Sequence, residues 1–390
     1  MTFDTIFNRN GSHCAKWDLM EKQYNVPPDS GLAMWVADMD FRPPNVIQDA
    51  LRDILNHGFY GYFGDDQKYR KSIEWWMRTR HNWNIDPSWI FTTHGLVNGT
   101  ALCIDSFTKP GDGIVLFTPI YHAFAKVIRA ANRDVVECEL HNNNGKYQLN
   151  LKASYAKLKG HEKMLIFCSP HNPGGRVWTK NELQSVVDFA KANNLILVSD
   201  EIHHDLIFPD HKHTPLALVD PTITDRLITM TATTKTFNIA GLHSGNVIIE
   251  DPILRKKFDS KMAALGLSPN SFGLFAATAA YSEQGANWVD ELVKYLNSNR
   301  KIFDEGINAI PGLKSMELEA TYLSWVDFSN FPMDMPAVIS RVERHAKIAT
   351  NHGLTFGKGG ENFLRFNIAM PQSQIYEAVD RMVNTFNGLY

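Results

Sequence analysis

Cysteine is scarce in this chain of 390 residues, with four, Cys14, Cys103, Cys138 and Cys168, scattered and without a CxxC pair. That argues against a zinc ribbon and a disulfide framework, and fits a reducing, cytoplasmic setting. Neither charge is in excess: 39 basic residues stand against 42 acidic ones, a net charge of −3. No basic field is available for nucleic acid or an anionic membrane, so a small molecule is the expected partner. No apolar run approaches the ~20 residues of a membrane span. The opening MTFDTIFNRNGSH lacks a basic region followed by an apolar core, so no signal peptide is expected. Internal repeats, low-complexity segments, GxGxxG, GxxxxGK(S/T) and HExxH are all missing. What remains is an ordinary globular composition, 44% hydrophobic and 21% charged, long enough for more than one domain.

Turn signals, VPPDSG and FRPPN, surround the short piece AMWVADMDF in the first 45 residues. This reads as an arm or strap rather than a closed domain. From about residue 46 amphipathic helices alternate with short apolar strands: GIVLFTP, DVVECEL, EKMLIFCSP, NLILVSDE, RLITMTA and GNVIIE. Near-continuous apolar strands between helices predict an α/β fold whose mostly parallel sheet is covered on both faces. After about 285 a long helix, NWVDELVKYLNSNRKIFDEGINAI, leads to the strands TYLSWVDF and NFLRFNIAM with a helix, AVISRVERHAKIAT, between them. The predicted division is an N-terminal arm over 1–47 that joins the small domain, a large domain over 48–285, and a small α+β domain over 286–390. HNNNG reads as a hairpin turn.

In open α/β sheets ligands bind beyond the carboxyl ends of strands. After FTT come His94, Gly95, Leu96 and Val97, opening a helix. After VLFTP comes Tyr121. After LIFCSP comes HNPGGR, with Asn172. LILVS ends in Asp200, followed by Glu201 and His203. After LITM come Thr233, Thr234 and Lys235, a lysine at a strand-to-loop transition among small hydroxyl residues. Each has a plainer reading: Gly95 as a turn glycine, Tyr121 as packing, Asn172 and Asp200 as caps, His203 and His204 as surface residues. A metal reading of SDEIHHD, through Asp200, Glu201, His203, His204 and Asp205, would make a metallohydrolase. It lacks the HExxH spacing, and PDHKH adds histidine only in a loop, so no metal is expected.

One cofactor matches the combination better than a metal. Pyridoxal 5′-phosphate (PLP) needs a lysine for its aldehyde, a helix N-terminus with hydroxyls for its phosphate, and a ring against its face. It also needs an amide for its phenolic oxygen and a carboxylate for its pyridine nitrogen. In order along the chain, MWVADMDF, TPIYHAF, SPHNPGGRVW, SDEIHHDL, KTFNIAGL and NFLRFNIAMP resemble the class I/II aminotransferase superfamily of fold type I PLP enzymes. Within it they resemble the cystathionine β-lyase-type C–S lyase branch, over essentially the whole chain.

The resemblance implies roles residue by residue. Lys235 becomes the cofactor lysine and the acid–base for the Cα proton. Asp200 pairs with the pyridine nitrogen, and Asn172 donates to the phenolic oxygen with His203 nearby. Tyr121 stacks on the ring. The Gly95, Leu96 and Val97 amides with Thr234 hold the phosphate. Tyr62 in YGYF reaches the neighbouring subunit's phosphate, which implies a homodimer. Arg365 clamps the substrate α-carboxylate, its plainer reading being a structural ion pair; in NFLRFNI it shares a face with Phe363 and Asn367. Departures are His203 for a tyrosine, His243 for an arginine eight residues after the lysine, and Ala232 for a serine. The implied reaction is α,β-elimination on L-cystathionine or a related cysteine S-conjugate, giving thiol, pyruvate and ammonia. A class I/II aminotransferase and a non-catalytic PLP-binding regulatory protein remain as alternatives.

Overall fold

A computed structural model describes residues 3–389. Its main sheet has seven strands, in the spatial order Ile90–Thr93, Gly245–Ile248, Leu227–Thr231, Ile196–Asp200, Glu162–Cys168, Gly113–Thr118 and Asp134–Glu139. The last five run parallel. Gly245–Ile248 is antiparallel to both its neighbours, so Ile90–Thr93 points the same way as the parallel set. Carboxyl ends of Ile90–Thr93 and of the parallel strands therefore share one edge of the sheet.

Alternate residues of these strands feed two separate cores. Val115, Phe117, Leu165, Phe167 and Leu197 pack with Leu183, Val186 and Phe189 of the helix Lys180–Ala192. Ile114, Leu116, Met164, Ile166 and Val198 pack on the other face with Leu102 and Ile104 of Leu96–Phe107 and Phe258 of Pro252–Ala264. Both faces being covered explains why the strands read as continuous apolar runs. Each such side chain contributes roughly 1.5–3 kcal/mol by leaving water. The Thr179–Glu182 capping box starts Lys180–Ala192 by satisfying its first amides reciprocally.

A second sheet has four strands, ordered Lys314–Ser315, Leu323–Asp327, Phe363–Asn367 and Asn351–His352, all antiparallel. The helix Glu283–Asn308 is fixed to it by Asn299, whose Nδ2 donates to the carbonyls of Ile368 at 2.9 Å and Met370 at 2.8 Å. The helix Met335–Arg344 ends earlier than its apolar spacing suggests. Ile348–Ala349 leaves it to pair in parallel with Leu32–Ala33 of the N-terminal arm. That arm first folds two short helices, Ala15–Asp18 and Met20–Tyr24, then runs as a strap. The hairpin around HNNNG joins His141–Asn142 to Tyr147–Gln148. No helix among the described residues is long and apolar enough to cross a membrane.

Candidate active site

Lys235 follows the fully buried strand Leu227–Thr231 and lies in a single helical turn, Thr233–Thr236, rather than in a loop. The turn closes because the Phe237 amide donates to the Thr233 carbonyl at 2.9 Å. Its ammonium donates to the Ala37 carbonyl at 2.7 Å, an oxygen also bonded by the Tyr322 hydroxyl at 3.1 Å. Burial lowers the Lys235 pKa to about 8, against the pull of Asp38 and Asp200. A pKa that close to neutrality leaves a usable fraction of free amine.

Asp200 ends its strand with one carboxylate oxygen accepting from the Ile202 amide at 3.0 Å. Its other oxygen has no hydrogen bond within the described chain. Burial raises this carboxyl to about 7, with Lys235 pulling the other way. A buried acid that lacks a protein cation in contact suits a cationic ligand atom.

Asn172 does not cap its own turn; the His171 Nδ1 does that, accepting from the Gly174 amide at 3.2 Å. The Asn172 Oδ1 instead accepts from Arg365 Nη1 at 3.0 Å. Arg365 Nη2 donates to the Trp35 carbonyl at 3.0 Å and to Asn351 Oδ1. Its guanidinium lies 5.0 Å from the Phe356 ring centroid and is only 2% exposed. Among the described residues no carboxylate pairs with it, which overturns the ion-pair reading, and its Nε has no partner. Burial lowers its pKa to about 10. A buried cation held only by neutral oxygens is arranged for an anion that is not part of the chain.

His203 and His204 are buried, not surface residues. Burial and the nearby Lys235 and Arg365 charges lower His203 to about 3, so its ring is neutral at physiological pH. PDHKH is a loop as expected, and within it His213 is buried and meets Glu201 at 2.8 Å. Tyr121 stands beside His122, ring centroids 4.8 Å apart, and burial raises its pKa with Arg365 opposing.

Gly95 precedes the helix Leu96–Phe107 with φ +82°, a conformation that favours glycine. No side chain caps that helix, and the Leu96 and Val97 amides find no acceptor in the described chain. Ser244 enters the strand Gly245–Ile248, whose first residue pairs with Thr93. The hydroxyls of Ser244 and Thr233 are both buried without a hydrogen bond, and Thr234 beside them is buried as well. Free helix amides with orphaned hydroxyls at the same sheet edge are the donor set an anion such as phosphate needs. Together with an amine of lowered pKa and a buried acid without a cation in contact, these residues fit PLP.

Tyr62 is not brought to this site. It lies in the irregular stretch 58–66 and its side chain is fully exposed. Contacts that the residue patterns did not reveal come from the strap and the second sheet. Asn367 Nδ2 holds the Val36 carbonyl at 2.7 Å and the Asp38 carbonyl at 2.5 Å, and so lays the Trp35–Asp38 backbone across Lys235 and Arg365. The quoted stretch MWVADMDF contained this strap, but nothing in it marks a carbonyl as the functional group.

A model of the family "Aminotransferase class I and II" matches residues 36–382. The cystathionine β-lyase PatB of Bacillus subtilis is 35% identical over 98% of this chain and 99% of its own. Cystalysin from Treponema denticola, whose crystal structure contains pyridoxal 5′-phosphate, superposes with a TM-score of 0.94 at 37% identity, covering 100% of this chain and 99% of that one. A PLP-bound C–S lyase from Staphylococcus hominis superposes with a TM-score of 0.91 at 27% identity, over 99% of this chain and 98% of that one. The chain is thus a fold type I, PLP-dependent member of the class I and II aminotransferase family.

Proposed function

We propose that this protein is a PLP-dependent C–S β-lyase that converts L-cystathionine, or a related cysteine S-conjugate, to thiol, pyruvate and ammonia. The observation that carries the reading is Arg365, a buried guanidinium that meets no carboxylate among the described residues and whose charge acts on the Lys235 amine. One α-carboxylate satisfies it. A dicarboxylate transaminase would call for a second cation on the side-chain side. The relatives named for C–S lyase chemistry support the same choice.

Bound PLP supplies an aldehyde for an amine and a protonated ring that withdraws electrons from Cα. The protein does the rest. Lys235 would hold the cofactor and, freed by the substrate amine, would take the Cα proton at Nζ. Asp200 would hold the pyridine nitrogen, Asn172 and His203 would serve the phenolic oxygen, and Tyr121 would pack on the ring. The Leu96 and Val97 amides with Thr234 would take the phosphate at the turn made by Gly95, whose own amide donates to the Thr93 carbonyl at 2.9 Å, and Thr233 and Ser244 have free hydroxyls to join them. Arg365 fixes the carboxylate, which fixes the direction of the Cα–H bond and so decides which bond breaks. Tyr62 reaches the phosphate of the other subunit in a homodimer. The segments 1–47, 48–285 and 286–390 serve as arm, large domain and small domain. Four free cysteines are compatible with a cytoplasmic enzyme.

Purified protein should be yellow and should release pyruvate and free thiol in equal amounts from L-cystathionine with no keto acid added. Amino transfer that requires a keto acid would make it a transaminase, and absence of any turnover would leave a binding protein. Lys235→Ala should abolish both the cofactor absorption band and pyruvate release.

A further inference from the structure

We propose that His81, His204 and Asp205 form a buried site for one divalent ion of the zinc class, outside the cofactor pocket. The SDEIHHD segment divides in space. Asp200 and His203 stand on the Lys235 side. Glu201 is used by Ser199 at 2.8 Å, His213 at 2.8 Å and the Leu216 amide at 3.0 Å. His204 and Asp205 are left, and they meet His81, the last residue of the helix Gln67–His81.

Their donor atoms all lie within 4.8 Å of one another. Each imidazole faces a different oxygen of one carboxylate. His81 Nε2 is 2.9 Å from Oδ1, and His204 Nε2 is 3.1 Å from Oδ2. The rings are stacked with centroids 4.3 Å apart. The three side chains are 6%, 1% and 0% exposed. Despite its closeness to Oδ2, His204 Nε2 makes no hydrogen bond. His81 hydrogen-bonds its carboxylate oxygen, whereas His204 Nε2 is buried at ion-pair distance from the other oxygen without hydrogen-bond geometry, and that mismatch points to a ligand between them.

The surroundings suit a cation. Trp76 Nε1 donates to Asp205 Oδ1 at 2.9 Å and Thr236 Oγ1 to Oδ2 at 2.8 Å, which fixes the carboxylate as an outer shell does around a metal. The carboxyl end of a helix, where His81 sits, favours positive charge. Two imidazoles and a carboxylate select zinc, cobalt, nickel or copper over magnesium or calcium. Donors in a tetrahedral zinc site are roughly 3.4 Å apart, so the two histidine–carboxylate distances of 2.9 and 3.1 Å would open slightly, and the two imidazole nitrogens already lie within 4.8 Å of each other. Such an ion would tie the helix Gln67–His81 to the loop after Asp200 and, through Thr236, to the turn that carries Lys235.

The test uses holoprotein dialysed against a chelator, equilibrated with Zn²⁺, desalted and assayed for metal. One zinc per chain is expected, and Co²⁺ in its place should give visible d–d absorption. His204→Gln and His81→Gln should each weaken binding by about 10-fold or more. Substoichiometric zinc, or stoichiometric zinc that both variants retain, overturns the proposal. Should both variants fail to fold, the Co²⁺ spectrum of the unaltered protein decides: strong tetrahedral-type bands support the site and their absence refutes it.

Discussion

At Asp200 burial does what the cofactor is meant to undo. The folded carboxyl titrates near 7, well above its ordinary 3.8. In PLP-free protein the group binds its proton more tightly when folded. Its stabilising contribution is therefore full below about pH 4 and is lost as pH rises through about 7. PLP-free Asp200→Asn should then be more stable than the parent at pH 8, on the order of 4 kcal/mol, and nearly equal to it at pH 4. Chemical denaturation of the two PLP-free proteins across that range checks this, and the same variant should lose PLP retention. Arg365→Ala should lower kcat/KM by roughly 10²-fold, chiefly through KM, with the cofactor spectrum unchanged. Arg365→Lys should recover only part of the loss, because an ammonium cannot take a carboxylate bidentately. Steady-state kinetics separates these outcomes.

The strap is an element whose position is fixed by charge as much as by packing. Asp40 accepts from Arg9 Nη1 at 2.7 Å, Lys16 Nζ at 2.7 Å and Trp17 Nε1 at 3.0 Å. Lys16 is completely buried. Asp40→Ala would leave that ammonium only Asp38, its carbonyl at 3.1 Å and its carboxylate at 3.8 Å, at a cost of about 3 kcal/mol, the low end for a broken buried pair. Because Ala37 and Asp38 follow the same strap, KM should rise as well. The double variant Asp40→Leu, Lys16→Met removes both charges and should regain most of the stability, which thermal unfolding of the set measures. Little of this was legible in advance. The apolar strands and the residues at their ends could be read locally, since Gly95, Tyr121, Asn172, Asp200 and Lys235 each follow a strand within a few positions. Ala37 meets Lys235 across 198 positions of sequence, and no local pattern carries such a contact. The plainer reading of His203 and His204 as surface residues fails for the same reason: polar residues after a strand look alike whether the next layer covers them or not.

For the whole molecule the decisive matter is what covers the exposed aromatics. Phe59, Tyr60 and Tyr62 are 78%, 60% and 104% exposed, and Phe275 nearby is 43% exposed. An apolar group of this kind is what the proposed homodimer would cover. In a two-fold dimer each Tyr62 would serve the other subunit. Lys235→Ala and Tyr62→Ala proteins, each impaired alone, should therefore complement when their subunits are exchanged. The hybrid carries one site with both native residues, and about a quarter of the parent activity is the ceiling for random exchange. A tyrosine that served its own chain would restore nothing.

The sequence alone determined the alternation of helix and strand, the edge at which the functional residues gather, and the class of cofactor they suit. Those follow from apolar periodicity and from residue types placed at strand ends, both of which are local. Tertiary structure decided that Arg365 meets no carboxylate among the described residues, that a carbonyl of the strap faces Lys235, and that His81, His204 and His213 are packed together inside. Each of these depends on which surfaces from distant parts of the chain close over one another, and burial is what shifts a charge's pKa or leaves a donor without a partner.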